Sequence, residues 1–124
     1  MTRIKICGLF RECDVDAVNE ARPDWCGFIV NFPRSHRSLD PGEARALRSR
    51  LDPGITPVGV FVDQPVETVA ALLNDGTISA AQLHGGEDAA RLAAIGADAV
   101  LMGEVLMRAA DHGAMLRTMR EAVL

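Results

Sequence analysis

Trp25-Cys26-Gly27-Phe28-Ile29-Val30 is apolar at both alternating sets of positions, with Gly27 as the only gap. Successive side chains of a strand point to opposite faces, so this run asks for cover on both sides. A parallel sheet flanked by helices supplies such cover. The rest of the chain has the same rhythm. Strand-like runs at residues 3–7, 25–30, 56–62, 78–83 and 99–102 alternate with helix-like runs. Their spacing is roughly 20–30 residues, the length of one βα unit. Residues 12–21 repeat apolar side chains at helical spacing through Val15, Val18 and Ala21. Asp40-Pro41-Gly42-Glu43 reads as a helix start, with a capping Asp, Pro at the first helical position and Glu in the first turn. Pro65 opens a third helix, which ends at Asn74-Asp75-Gly76. Residues 87–94 and 104–108 suggest further helical pieces, and Asp111 can cap a last one.

The expected fold class is therefore α/β, five βα units around a parallel sheet. Five units suit a flavodoxin-like open sheet and fall short of the eight that close a (βα)8 barrel over about 200–250 residues. The 124 residues suffice for one domain with one core. Net charge is −4, which argues against nucleic acid as a partner. Tyr is absent and only one Trp occurs, so an aromatic stacking platform for bases is not expected either. No apolar run is long enough to span a membrane, and the start leads directly into a strand without a signal peptide. Three cysteines, Cys7, Cys13 and Cys26, form an odd set without zinc-ligand spacing. Reduced thiols, a cytoplasmic location and no metal are the expectations.

Parallel α/β folds present chemistry where strands end. Lys5-Ile6-Cys7-Gly8-Leu9 puts a thiol at such an end. A thiol there is a nucleophile or proton acceptor where its surroundings favour thiolate, and otherwise a small apolar side chain. Arg37 follows the second strand in a basic loop with Arg34 and His36. It is a ligand for a carboxylate or an aromatic ring, or a solvated loop residue. Asp63 ends the third strand, as an acid or as the start of a helix. Gln82 and His84 lie on one side of the fourth strand's exit, with Leu83 opposite.

Five segments in series carry a family resemblance. They are Lys5-Ile6-Cys7-Gly8-Leu9, Gly27-Phe28-Ile29-Val30, Pro33-Arg34-Ser35-His36-Arg37, Pro57-Val58-Gly59-Val60-Phe61-Val62-Asp63 and Ala81-Gln82-Leu83-His84-Gly85. Over about residues 3–85 the chain resembles phosphoribosylanthranilate isomerase, an enzyme of tryptophan biosynthesis. Residues 95–108 are instead similar to the last βα unit of indole-3-glycerol-phosphate synthase. Both families are eight-unit barrels. The resemblance therefore implies a truncated TIM-barrel-like domain over 1–124. Residues 1–85 are its front half, 86–124 its closing unit, and about three βα units are missing between them.

The resemblance also implies an Amadori rearrangement of a phosphorylated small-molecule substrate, without a cofactor. Cys7 matches the general base, Arg37 the arginine that holds the anthranilate portion, and Gln82 with His84 the pocket floor. The family's general acid, an aspartate on a later strand, has no match, which leaves Asp63 or Glu104 as stand-ins. Gly103, Glu104 and Val105 resemble half of a phosphate site. An inactive fragment serving as a folding or assembly unit is the alternative. Five open strands leave two unpaired edges, so a homodimer through those edges is expected.

Overall fold

The computed structural model describes residues 1–85, 100–102, 110–111, 113–114 and 117. The elements run β1 (Lys5–Cys7), α1 (Glu12–Ala21), β2 (Trp25–Val30), β3 (Ser38–Leu39), α2 (Pro41–Arg50), β4 (Thr56–Phe61), α3 (Val66–Asn74), β5 (Ala80–Leu83) and β6 (Val100–Met102). All strand pairs are parallel, in the order β1-β2-β4-β5-β6, and β3 pairs β2 at the side. Spatial order thus follows chain order. A flavodoxin-like sheet reverses its strand order at a switch point, so that alternative is set aside. The sheet is an open arc of a TIM-barrel-like fold, with β1 and β6 at its two ends. The short β3 was not anticipated; it arises where the loop after β2 turns back to pair Ile29 with Ser38 and Val30 with Leu39.

Register and alternation separate two faces. Lys5, Cys7, Trp25, Gly27, Ile29, Val58, Val60 and Gln82 share one face. Cys26, Phe28, Val30, Phe61, Ala81 and Leu83 share the other. There they join Val15 and Val18 of α1, Ala44 and Leu47 of α2, and Val69 and Leu72 of α3 in one buried cluster. The core therefore lies between sheet and helices. The opposite face is only partly covered: Trp25 and Ile29 are half-buried, although the sequence of β2 suggested burial on both sides.

Lys5 Nζ on β1 donates a hydrogen bond to Gln82 Oε1 on β5, across two intervening strands. Neighbouring strands lie about 4.8 Å apart and the register sets Gln82 four residues further along than Lys5, so these two are roughly 20 Å apart in a flat sheet. Side chains stand nearly perpendicular to their sheet, so the two meet because the sheet curls toward that face. The face carrying Cys7 is the concave one.

The helix starts obey local chemistry. The Asp40 side chain accepts from Glu43 N at 2.8 Å, and Glu43 Oε2 accepts from Asp40 N at 2.8 Å, closing a capping box ahead of Pro41. Pro65 is the N-cap of α3, with its side chain making no capping bond, and Asp63 lies two residues ahead of it. Ala114 N donates to Asp111 Oδ1 at 2.9 Å, as a capping Asp should. The helical pieces expected at 87–94 and 104–108 lie outside the described residues.

Gly59 lies on the covered face, where an added Cβ falls 2.6 Å from Phe61 Cε2 and 2.8 Å from Ile78 Cδ1. Both neighbours are fully buried and cannot swing away. Gly59→Ala is expected to lower unfolding stability by about 1–3 kcal/mol, measured by urea denaturation. An unchanged midpoint would show that the packing at β4 is looser than described.

Candidate active site at the strand exits

Gly27 makes room for the thiol of Cys7. The two residues pair in register on the concave face, and a Cβ on Gly27 would fall 2.8 Å from Cys7 Sγ. The chain leaves β1 through Gly8 at φ +86°, a conformation other residues adopt only at a cost. Gly8 N and Leu9 N both donate to Gly27 O, at 3.0 and 3.1 Å, which holds this exit against β2. Cys7 itself is exposed.

Arg37 closes over the same turn. Its Nη1 donates to Gly8 O at 3.1 Å, and its Cδ lies 2.9 Å from where a Gly8 Cβ would stand. Its guanidinium carbon sits 5.2 Å from the Phe10 ring centre, a cation–π distance. The edge of His36 meets the same ring at 6.0 Å. Phe10 therefore props up the basic loop, a role that a lone aromatic beside a strand exit did not reveal. Cys7, Gly8 and Arg37 border the rim of a cavity of about 280 Å³ that runs past Ile6 to Ala17 and Val18 of α1, on the helix side of β1 rather than on the concave face. Arg11 Nη2 donates to Asp14 Oδ1 at 2.8 Å, and that bond holds the Asp14 carboxyl down at about 2. Arg34 is exposed and lines no part of this cavity.

A second group forms at the exits of β4 and β5. Asp63 has a left-handed backbone, φ 51°, and its Oδ1 stands 2.5 Å from where a Gly85 Cβ would be. Gly85 is thus the residue type that leaves space for this carboxylate. His84 N donates to Phe61 O at 2.8 Å, carrying the β4–β5 pairing one residue past the strand. Asn31, just after β2, is also left-handed at φ 51°, and its carbonyl accepts from Gln64 Nε2 at 3.1 Å. Non-glycine residues in this region collect at working sites more often than elsewhere. Gln82 projects into the concave face, half-buried, and meets Lys5. Lys5 is the polar residue of this face that the sequence reading passed over.

The structure brings Cys7 and Arg37 together at one cavity and Asp63 and Gly85 together at the neighbouring exits. Lys5 and Gln82 link the two strands beneath them. Gly103, Glu104 and Val105 lie outside the described residues. Among the described residues no three His, Cys, Asp or Glu side chains converge as a metal set. No helix among them is long and apolar enough to cross a membrane.

A larger cavity, about 440 Å³, opens at the opposite end of the strands between Arg45, Arg48, Ser49, Asp75, Gly76 and Thr77. There the Thr77 hydroxyl donates to Asp75 Oδ1 at 2.6 Å, and Arg45 Nε donates to Asp75 Oδ2 at 2.7 Å. The strand-start end of such folds serves stability rather than chemistry. Size is therefore no guide to the site here.

Two measurements follow. Burial pushes the Cys26 thiol up to about 11, while Cys7 and Cys13 are exposed. A native sample should release two thiols rapidly to an aromatic disulfide reagent at neutral pH and the third only on unfolding. Three fast thiols would contradict the covered face of β2. Secondly, the Thr77 and Arg45 bonds hold the Asp75 carboxyl at about 2, below its ordinary 3.8. Its contribution is complete above the ordinary value and disappears as pH falls through the lowered one. Acid unfolding between about pH 4 and pH 2 should therefore be shallower in Asp75→Asn. The effect is small, because the pair is partly exposed.

The chain matches the family model described as N-(5'phosphoribosyl)anthranilate (PRA) isomerase over residues 4–120. The N-(5'-phosphoribosyl)anthranilate isomerase of Endomicrobium trichonymphae is 49% identical over 88 residues, 71% of this chain and 43% of that protein. The isomerase of Methylibium petroleiphilum is 47% identical over 96 residues, 77% of this chain and 44% of that one. Among solved structures, TrpF from Jonesia denitrificans superposes with a TM-score of 0.72 at 33% identity, covering 82% of this chain and 50% of its own. A phosphoribosyl anthranilate isomerase in complex with reduced 1-(o-carboxyphenylamino)-1-deoxyribulose 5-phosphate gives a TM-score of 0.74 at 29% identity, covering 98% and 61%. The chain spans less than half the length of these two curated relatives.

Proposed function

The chain belongs to the N-(5'-phosphoribosyl)anthranilate isomerase family, and from that premise we propose that it rearranges N-(5'-phosphoribosyl)anthranilate to the 1-deoxyribulose 5-phosphate product. The reaction needs an acid at the ribose ring oxygen and a base at C2′. The acid protonates the ring oxygen as the C1′–O bond breaks, and the substrate's own nitrogen lone pair forms the C=N bond. Removal of the C2′ proton then gives the enol, which becomes the ketone. The amine supplies the electron push, so no cofactor enters the scheme.

Cys7 is the base in this reading. Its thiol lies on the concave face against Gly27, at the β1 exit where Arg37 binds Gly8 O, and that placement is the observation that carries the proposal. Arg37, fixed by Gly8 O and the Phe10 ring, presents its guanidinium to the anthranilate carboxylate or ring. Gln82 and His84 line the floor and the exit of β5. Asp63 takes the acid's part: it is exposed, sits at a strand exit and is held in a left-handed turn against Gly85. Gly103, Glu104 and Val105 bind the phosphate through backbone N–H groups, and this unit is similar to the end of indole-3-glycerol-phosphate synthase.

The test is turnover of phosphoribosylanthranilate generated in place, followed by loss of its anthranilate fluorescence. Cys7→Ala and Asp63→Asn should each lower kcat by about 10²–10⁴-fold with unfolding transitions unchanged. A folded chain without turnover would favour the inactive assembly unit. Turnover that survives Cys7→Ala would remove the thiol from the mechanism. Full activity in Asp63→Asn would move the acid elsewhere.

A further inference from the structure

Lysine's ammonium has three donor protons and no acceptor. Whatever atom of Gln82 meets Lys5 Nζ must therefore be the carbonyl oxygen, Oε1, which is the contact the structure records. Two consequences follow from the chemistry. The amide nitrogen, with both its protons, is the end of Gln82 left to the rest of the concave face. Its register partners are Val60 and Leu101, and neither apolar residue type carries a side-chain acceptor for those protons. The floor between β1 and β5 is therefore a set of donors: the Gln82 NH2 and the two remaining protons of the Lys5 ammonium.

We propose that Lys5 is a positioning residue that fixes which end of the Gln82 amide the ligand meets, so that the floor beside Cys7 accepts a ligand oxygen and rejects a donor. Resting on the isomerase reading, the ligand oxygen belongs to a substrate that carries a carboxylate, hydroxyls and a phosphate. Without Lys5 an amide is free to turn over, since its two ends are nearly the same size. Lys5 also reaches Gln82 from the strand that carries Cys7. The base and the donor floor are thereby held to one another through β1.

The decisive experiment compares variants in equilibrium binding of reduced 1-(o-carboxyphenylamino)-1-deoxyribulose 5-phosphate by calorimetry. Gln82→Met removes the donor, whereas Gln82→Glu turns it into a negatively charged acceptor. Affinity should fall in the order parent, Gln82→Met, Gln82→Glu. Lys5→Met should lose about tenfold, and Lys5→Arg should recover most of that loss. A purely structural Lys5 would shift thermal unfolding without producing this order. Gln82→Glu binding as well as Gln82→Met would overturn the donor floor. Turnover can fail while this order holds, which removes the isomerase reading and leaves the inference standing. Should the analogue not bind, the side-chain amide resonances of Gln82 decide the matter in the free protein. Their proton exchange should quicken in Lys5→Met, and resonances indifferent to that change would reject the role of Lys5.

Discussion

The constraint on which the structure depends is parallel pairing in chain order. Each strand must be followed by a crossover before the next can lie beside it in the same direction. The described helical crossovers, α1, α2 and α3, fall on one face and bury Phe28, Phe61, Leu72 and Leu83 in a common core. The other face receives no helix among the described residues and curls inward. Every strand also ends at the same rim. Cys7, Arg37, Asp63 and His84 come from separate parts of the chain, and this rule alone brings them to one side of the molecule.

Glycines then decide what the rim can hold. Gly27 opens a niche for a thiol, Gly85 leaves space for a carboxylate, and Gly8 turns the chain beneath Arg37. At each place the neighbour would collide with even a methyl group. Chemistry-bearing side chains are thus seated against backbone rather than against other side chains, a tighter and less adjustable support. Phe10 is the exception: its ring supports Arg37 beside the hydrogen bond to Gly8 O and meets the His36 ring nearly at a right angle.

Much of the fold was legible because its signals are local. The capping box at Asp40 and Glu43, the alternation of β2 and the apolar period of α1 all depend on residues within a few positions of each other. What stayed hidden depends on the third dimension. Ser38 and Leu39 form a strand only because the preceding loop returns to β2. Asp63 carries no mark of its left-handed backbone, which comes from the turn between Phe61 and α3. The meeting of Lys5 with Gln82 needs the sheet's curvature, whereas a strand pattern fixes only which face a residue takes. The thiol and the guanidinium were found because their positions at strand ends and in the motif were both visible. Their shared dependence on Gly8 and Phe10 was not.

Strand order has a further meaning in time. Because β2 pairs β1, β4 pairs β2 and β5 pairs β4, each new strand docks on one already made. No strand has to wait for a distant partner, as the middle strand of a doubly wound sheet must. Contacts between sequence neighbours close short loops and fold quickly, so the sheet can grow strand by strand in chain order. The Gly27 wall of the Cys7 niche is in place once β2 has docked on β1, before any later strand of the sheet is needed.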